Sequence, residues 1–408
     1  MEACSARPWP VAIGAPEMVA LPRLLLQQLL PLILSPQPAV AGPYQGHCSS
    51  LWPGNPKDPG CWAWDWQFQF HPVTTSSPTV GDSSGGLFVN GSWHTFYSCA
   101  GGWCHLSTRD LVHYESHGII VAKPSPSYPV HLGLGTGSVV AAPDGSGDIL
   151  GFVNNQGGHM RSEDGMRTWT AYKTTTGPNP GGRDQARPLQ SADGTWYMMA
   201  GCGGSDGAAV CRFRASDLSL SNWTYDGEIY VSNSTWTGVG GNWVNFYEVP
   251  DFYPLTSSKG ATKHVLVTDP WASGGPGGAG YHVHNVEWRT GAWSADGKHF
   301  LVEKTGCLDY GWWYAARSIT NLSNSGRRLM SGNIGTDVTQ GSHSVEGHVP
   351  GAGGMRMFTS LPREVSLADD GSTVHVKPPL ELEGLRAGPA KTSKLAVFEC
   401  GKLDAARL

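Results

Sequence analysis

The chain has 408 residues, of which 55 are glycine, 29 proline and 17 tryptophan, while charged residues make up only 15%. Glycine at about twice its usual share, with so little charge, argues against a helical bundle and for many short strands joined by turns. A net charge of −5 leaves no dominant basic face, which argues against nucleic acid as a partner.

At the N-terminus, LLLQQLLPLIL (Leu24–Leu34) is an apolar run followed by SPQP and Ala39-Val40-Ala41. This is the pattern of a signal-peptide h-region with an A-x-A cleavage site, so residues 1–41 are expected to be a signal peptide, with Met18 a tidier start than Met1. A buried helix is the alternative. The run is too short to span a bilayer and no later run approaches ~20 apolar residues, so no stable membrane anchor is expected. Beyond the signal, eight cysteines remain, an even number that suits an oxidising compartment. Their spacing makes Cys48–Cys61, Cys99–Cys104 and Cys202–Cys211 plausible bridges, with Cys307 and Cys400 left over. Sequons at Asn90, Asn222, Asn233 and Asn321 fit the same route. The expected destination is extracellular or vacuolar.

Strand–turn–strand units then recur along the chain: LFVNGSWHTFYS, VVAAPDGSGDILGFV, RPLQSADGTWYMMAG, YPLTSSKGATKHVLV and WSADGKHFLVEK. Each is an apolar run, a polar turn ending in glycine, and a second run, the signature of a β-hairpin. The turn glycines are Gly91, Gly145, Gly194, Gly260 and Gly297, at intervals of 37 to 66 residues, the size of a propeller blade with variable loops. Five hairpins predict an all-β, five-bladed β-propeller, with a β-sandwich as the alternative.

The first unit opens with VGDSSGGLF (Val80–Phe88), which contains the G-x-S-x-G spacing of a hydrolase nucleophile elbow. An elbow joins a strand to a helix, whereas a hairpin follows here. Only about 40 residues separate the cleavage site from Ser83, too few for a trypsin-like barrel carrying His and Asp first. The acid beside the serine is the better candidate. Asp82 lies eight residues before the turn at Asn90, Asp184 nine before Asp193, and Glu248 eleven before Lys259. Acids at matched offsets in different blades converge on one end of a propeller's central channel. Capping of turns or surface pairing is the bland alternative for each.

Converging carboxylates are the apparatus of glycoside hydrolysis, one ionised nucleophile and one protonated acid. Phe246, Tyr247, Phe252 and Tyr253 give Glu248 an apolar setting suited to an acid. Asp82 sits among glycines and serines that hold it ionised, and Arg183 beside Asp184 is placed to bind sugar hydroxyls.

From about Phe70 to Arg386 the sequence resembles the β-fructofuranosidases of glycoside hydrolase family 32, which includes invertases, inulinases, levanases and fructan exohydrolases. YEVPDFYPL is similar to the family's W-E-C-P-D-F-F, and GGRDQARP to its R-D-P motif. WCHLSTRDLVHYESHG (Trp103–Gly118), GTGSVV (Gly135–Val140), DYGWWYAARSI (Asp309–Ile319) and SLPREVSLADDG (Ser360–Gly371) resemble further family segments in the same order. The resemblance implies Asp82 as nucleophile, Glu248 as acid/base and Asp184 as stabiliser of the oxocarbenium-like transition state. It also implies substrate contacts at Arg183, Trp103, Thr136 and Ser98. Where the family has W-M-N-D-P-N-G this chain has T-V-G-D-S-S-G, its F-Y-Q ends in Ser98, and R-D-P reads R-D-Q. These departures fall in the sugar-binding shell.

The expected organisation is therefore a propeller over 42–365 and the truncated start of the family's C-terminal β-sandwich at 366–408. The expected activity is retaining hydrolysis of terminal β-fructofuranosyl bonds in sucrose or fructans, without cofactor. A lectin-like fructoside binder and a non-catalytic scaffold are the rivals, and the oligomeric state stays open. His282 and His284 in YHVHNVEW lack a third ligand nearby, so no metal is expected. GLGTGS lacks the helix of a dinucleotide site, and the tryptophans of CWAWDW (Cys61–Trp66) are read as core or rim packing.

Overall fold

The computed structural model describes residues 80–99, 102–122, 136–153, 158–173, 175–176, 184–204, 207–215, 217–232, 243–273, 281–282, 286–309, 313–321, 326–334 and 358–385. The expected signal peptide, Cys48, Cys61, Cys400, Arg183, Asn233, His284 and the tryptophans of CWAWDW lie outside the described residues. Apart from one short 3₁₀ turn (Leu380–Leu385), the regular elements among the described residues are strands.

These strands form β-propeller blades, each a four-stranded antiparallel meander. The first comprises β1 (Val80–Val89), β2 (Ser92–Cys99), β3 (Gly102–Thr108) and β4 (Tyr114–Ala122). The second comprises β5 (Gly137–Ala141), β6 (Ile149–Val153), β7 (Gly158–Ser162) and β8 (Thr170–Lys173). After the short β9 (Thr175–Thr176) comes the third, with β10 (Leu189–Gln190), β11 (Trp196–Gly204), β12 (Gly207–Ala215) and β13 (Asn222–Val231). The fourth comprises β14 (Trp243–Thr256), β15 (Thr262–Ser273), β17 (Glu287–Trp293) and β18 (Phe300–Cys307), with the short β16 (Tyr281–His282) alongside β15. The last comprises β19 (Trp313–Asn321), β20 (Arg328–Ile334), β22 (Arg363–Leu367) and β23 (Val374–Lys377), with β21 (Phe358–Thr359) beside β20.

Local chemistry sets the tight turns. Asn90 and Gly91 both have positive φ (53° and 77°), as the type I′ turn between β1 and β2 requires. The hairpin at Gly297 joins β17 to β18, so it belongs to the same meander as the hairpin at Gly260 and does not mark a new one. The last meander has its own hairpin, β22 to β23, turning at Asp370-Gly371. Because β22 runs across residue 365, the domain boundary expected there falls inside this meander.

Apolar clusters fill the gaps between successive meanders. Leu87, Phe96 and Trp103 pack on Val139 and Ile149; Val140, Leu150 and Phe152 pack on Met198, Ala209 and Trp223. Met199, Val210 and Ile229 meet Tyr247, Phe252 and Leu266, and Tyr253, Val265 and Trp288 meet Trp313, Met330 and Val365. Trp93 and Leu111 of the first meander pack on Ile319 and Leu329 of the last, and Leu382 of the 3₁₀ turn joins them. Parallel pairing of β1 with β19 (Gly86 with Ile319) closes the ring at the same seam. Strands buried on both faces explain runs such as WCHL and AAVC, which are apolar at successive positions and not alternate ones. Two bridges, Cys99–Cys104 and Cys202–Cys211, clip neighbouring strands within single meanders.

Candidate active site

The innermost strands carry the site, and each is irregular where the site lies. Glu248 pairs with Asp269 and Asp251 with Val267, so β14 has one more residue than β15 between those pairs. β19 does the same between Tyr314 and Arg317, and β1 twice, between Val80 and Ser83 and between Ser83 and Gly86. These are β-bulges, which kink the strand and re-aim side chains. The extra residue has a left-handed backbone: Val249 at φ 47° and Ala315 at φ 52°. A β-branched residue in that region is strained, and such strain collects at functional sites. Asp184, just before β10, is itself left-handed at φ 54°.

Asp82, Asp184 and Glu248 meet across three meanders. Thr136 Oγ1 donates to Asp82 Oδ2 at 2.9 Å, and the same hydroxyl interacts with Asp184. Asp184 Oδ2 accepts the Val249 N–H at 3.3 Å, the residue next to Glu248. Tyr314 O–H donates to Glu248 Oε2 at 2.6 Å. Arg317 Nη1 and Nη2 donate to the carbonyls of Gln185 (2.8 Å) and Asp184 (2.5 Å), fixing the segment that carries Asp184.

Burial, and then the Glu248 charge, pushes the Asp184 carboxyl up to about 6, against the pull of Arg317, the Val249 amide and Thr136. A fourth acid joins the group. Asp269 on β15 is 3% exposed, with the Ala315 and Ala316 amides turned toward its carboxyl and no side-chain hydrogen-bond partner among the described residues. Burial raises it far above the usual carboxylate range, with Glu248 and Asp82 adding to the shift. Tyr314 is likewise pushed well above the usual phenol by burial, Asp82 and Glu248. The surroundings thus hold several carboxyls close together and favour the protonated forms of Asp184 and Asp269, which suits acid–base work.

Other expected site residues fall differently. Trp103 was expected to touch substrate; instead it is fully buried, stacks on Phe96 and donates its Nε1–H to Ser84 Oγ at 2.9 Å. Its role is to hold β1 against its neighbours. Thr136, at 1% exposure, acts through the two aspartates. Ser98 is half-buried on β2. Ser83 is buried, its hydroxyl accepting the Gly85 N–H at 3.3 Å and lying 3.5 Å from Ser331 Oγ, and β1 runs on into a hairpin. Among the described residues the one cluster of ligand-type atoms is Cys202, Cys211 and Glu228, whose two sulfurs are bonded to each other.

Residues 73–378 match the Glycosyl hydrolases family 32 N-terminal domain, three quarters of the chain. The chain belongs to glycosyl hydrolase family 32. Among curated members, a fructan 1-exohydrolase from Triticum urartu is 25% identical over 377 residues, covering 83% of this chain and 59% of its own length. A levanase from Bacillus sp. (strain L7) is 25% identical, covering 81% of this chain and 36% of the levanase. The chain therefore spans little more than half the length of the exohydrolase it matches. The same fold is seen in the crystal structure of fructan 1-exohydrolase IIa from Cichorium intybus, with a TM-score of 0.61 and 18% identity over 78% of this chain and 62% of that one. An Aspergillus kawachii β-fructofuranosidase complexed with glycerol gives a TM-score of 0.63 at 18% identity, covering 80% and 67%.

Sequence reasoning missed Asp269 and left Tyr314 without a role. The signal for Tyr314 was its place in DYGWWYAARSI; that for Asp269 is an acid embedded in the apolar strand HVLVTDP.

Proposed function

We propose that this family 32 chain is a retaining glycoside hydrolase that releases terminal β-D-fructofuranosyl units from sucrose or fructans. The observation that carries this is the meeting of Asp82, Asp184 and Glu248 from three separate meanders, with burial and the Glu248 charge raising the Asp184 carboxyl. Relatives named as fructan exohydrolases and a levanase supply the substrate class.

In this mechanism Asp82 attacks the anomeric carbon as the bond to the leaving sugar breaks, and Glu248 delivers its proton to the departing oxygen. Water then attacks the fructosyl ester, giving its proton to Glu248 and freeing Asp82. Asp184 binds fructose hydroxyls and opposes the positive charge that develops on the ring. Tyr314 orients Glu248 through Oε2, and Thr136 orients Asp82 through Oδ2. Export to an extracellular or vacuolar compartment completes the proposal, and the two bridges support it.

A second reading, fructoside binding without turnover, rests on the altered first motif. Ser84, two residues after Asp82, is tied inward by Trp103 and by the Gly137 N–H, so it offers its oxygen to the protein. Purified protein assayed on sucrose, inulin and levan separates the two. Free fructose supports the hydrolase; fructoside binding by calorimetry without fructose release supports the binder.

A further inference from the structure

One layer along from the acids, the same innermost segments enclose a small cavity. Ser84 comes from β1, Ser138 from β5, Arg187 from the segment before β10, Asp251 from β14, and Arg317 and Ser318 from β19. Every meander contributes, so the cavity lies on the propeller axis. It has room for about one water-sized species, too little for a sugar ring, sulfate or phosphate.

The lining is unbalanced in charge. Arg187 and Arg317 bring two guanidinium groups, and Arg328 stands behind them with Nη1 2.7 Å from Ser318 Oγ. Against these the lining holds one carboxylate, Asp251, whose Oδ2 already accepts the Ser318 N–H at 2.8 Å. Arg317 also feels Asp184, Asp82 and Asp269 of the acid layer, whereas Arg187 draws on Asp251 and the Tyr253 oxygen. Burial, and then repulsion from Arg328, pushes the Arg187 guanidinium down to about 9.

Donors also outnumber acceptors. Arg317 Nε–H is buried without an acceptor among the described residues, and no carboxylate of the lining other than Asp251 faces Arg187. Ser84 Oγ accepts from Trp103 Nε1 and Gly137 N, both at 2.9 Å, so its own hydrogen is left to donate. Ser318 Oγ, accepting from Arg328, is in the same position. A water molecule would accept two of these donors and balance none of the charge.

We propose that the axial cavity binds a small monovalent anion, chloride under physiological conditions, held by Arg187, Arg317 and the hydroxyls of Ser84 and Ser318. The site does not depend on the fructosidase mechanism. It does touch it structurally, because the Arg317 that would hold the anion also holds the Asp184 and Gln185 carbonyls.

Bromide substitutes for chloride and scatters anomalously. A crystal of the full chain soaked in sodium bromide should show an anomalous peak between Arg187 and Arg317. In solution, the melting temperature in sodium chloride should exceed that in sodium gluconate at equal ionic strength by about 2 °C. Arg187→Met should abolish that difference; if this variant fails to fold, the wild-type map and the wild-type pair of salts still decide. A cavity without anomalous density, or equal melting in the two salts, overturns the proposal.

Discussion

Along the propeller axis, Asp82, Asp184, Glu248 and Tyr314 occupy one layer, and Gly85, Arg187, Asp251 and Arg317 follow, each three residues later on the same segment. In a regular strand, residues three apart point to opposite faces. The extra bulge residue returns the second of each pair to the face of the first in β1, β14 and β19. The two layers carry charge in opposite ways. In the acid layer, burial raises Asp184 and Asp269, Asp269 has no side-chain hydrogen-bond partner among the described residues, and the backbone beside Glu248 is strained. In the next layer, Arg317 satisfies two carbonyls of the third meander and Asp251 satisfies an amide of the last. One layer stores cost for chemistry, and the other ties the meanders together.

That contrast breaks if mutations in the two layers behave alike. Glu248→Gln keeps the shape of the acid but delivers no proton, so turnover on sucrose should fall by ~10²–10⁴ while the melting temperature holds. Steady-state kinetics beside thermal melting measures both. Arg317→Met should do the reverse of holding the fold. It strips the Asp184 and Gln185 carbonyls of their donors and leaves Asp251 short of a partner, at a cost of about 3–5 kcal/mol in urea unfolding. An Arg317→Met protein as stable as wild type would dissolve the distinction.

Asp184 sharpens the comparison through pH. Burial, and then the Glu248 charge, pushes its folded carboxyl up to about 6, above the ordinary aspartate range, so the folded state holds this proton more tightly than the unfolded state. The stabilisation is full below about pH 4 and is lost as pH rises through 6. Above pH 6 the ionised group is a burden of about 3 kcal/mol, which Asp184→Asn removes. The variant should therefore out-melt wild type at pH 7.5, with the gap closing near pH 4, while its turnover falls. A gap of the same size at both pH values would show that the burial of this acid is not what matters.

The smallest effect belongs to Ser83. Its hydroxyl only supports the β1 bulge, so Ser83→Ala should keep turnover within about tenfold. A serine-directed fluorophosphonate should leave the protein unlabelled in mass spectrometry.

Much of this was legible in the residues. Hairpins at Asn90-Gly91 and Gly145 follow from turn chemistry, and short spacing gave Cys99–Cys104 and Cys202–Cys211. The acids stood out because three recur ahead of hairpins. A hairpin pattern does not say which pair of strands in a meander it joins, which is why Gly297 read as a separate blade. The second layer was hidden for a different reason. DQAR, EVPD and YAAR place charge three residues after Asp184, Glu248 and Tyr314, but only a bulge, which is a tertiary feature, puts both members on one face. Trp103 misled because a tryptophan in a sugar-binding motif reads as a platform, and here it packs between sheets.

As the proposed nucleophile, Asp82 must form a covalent bond to the fructosyl unit. Wild-type protein and Asp82→Asn can each be mixed with sucrose, quenched in acid within milliseconds, digested and weighed by mass spectrometry. A hexosyl adduct on the wild-type peptide containing Asp82, absent from Asp82→Asn along with ~10⁴-fold or more of the turnover, is the predicted result. Full turnover by Asp82→Asn, or an adduct on any other residue, would contradict it.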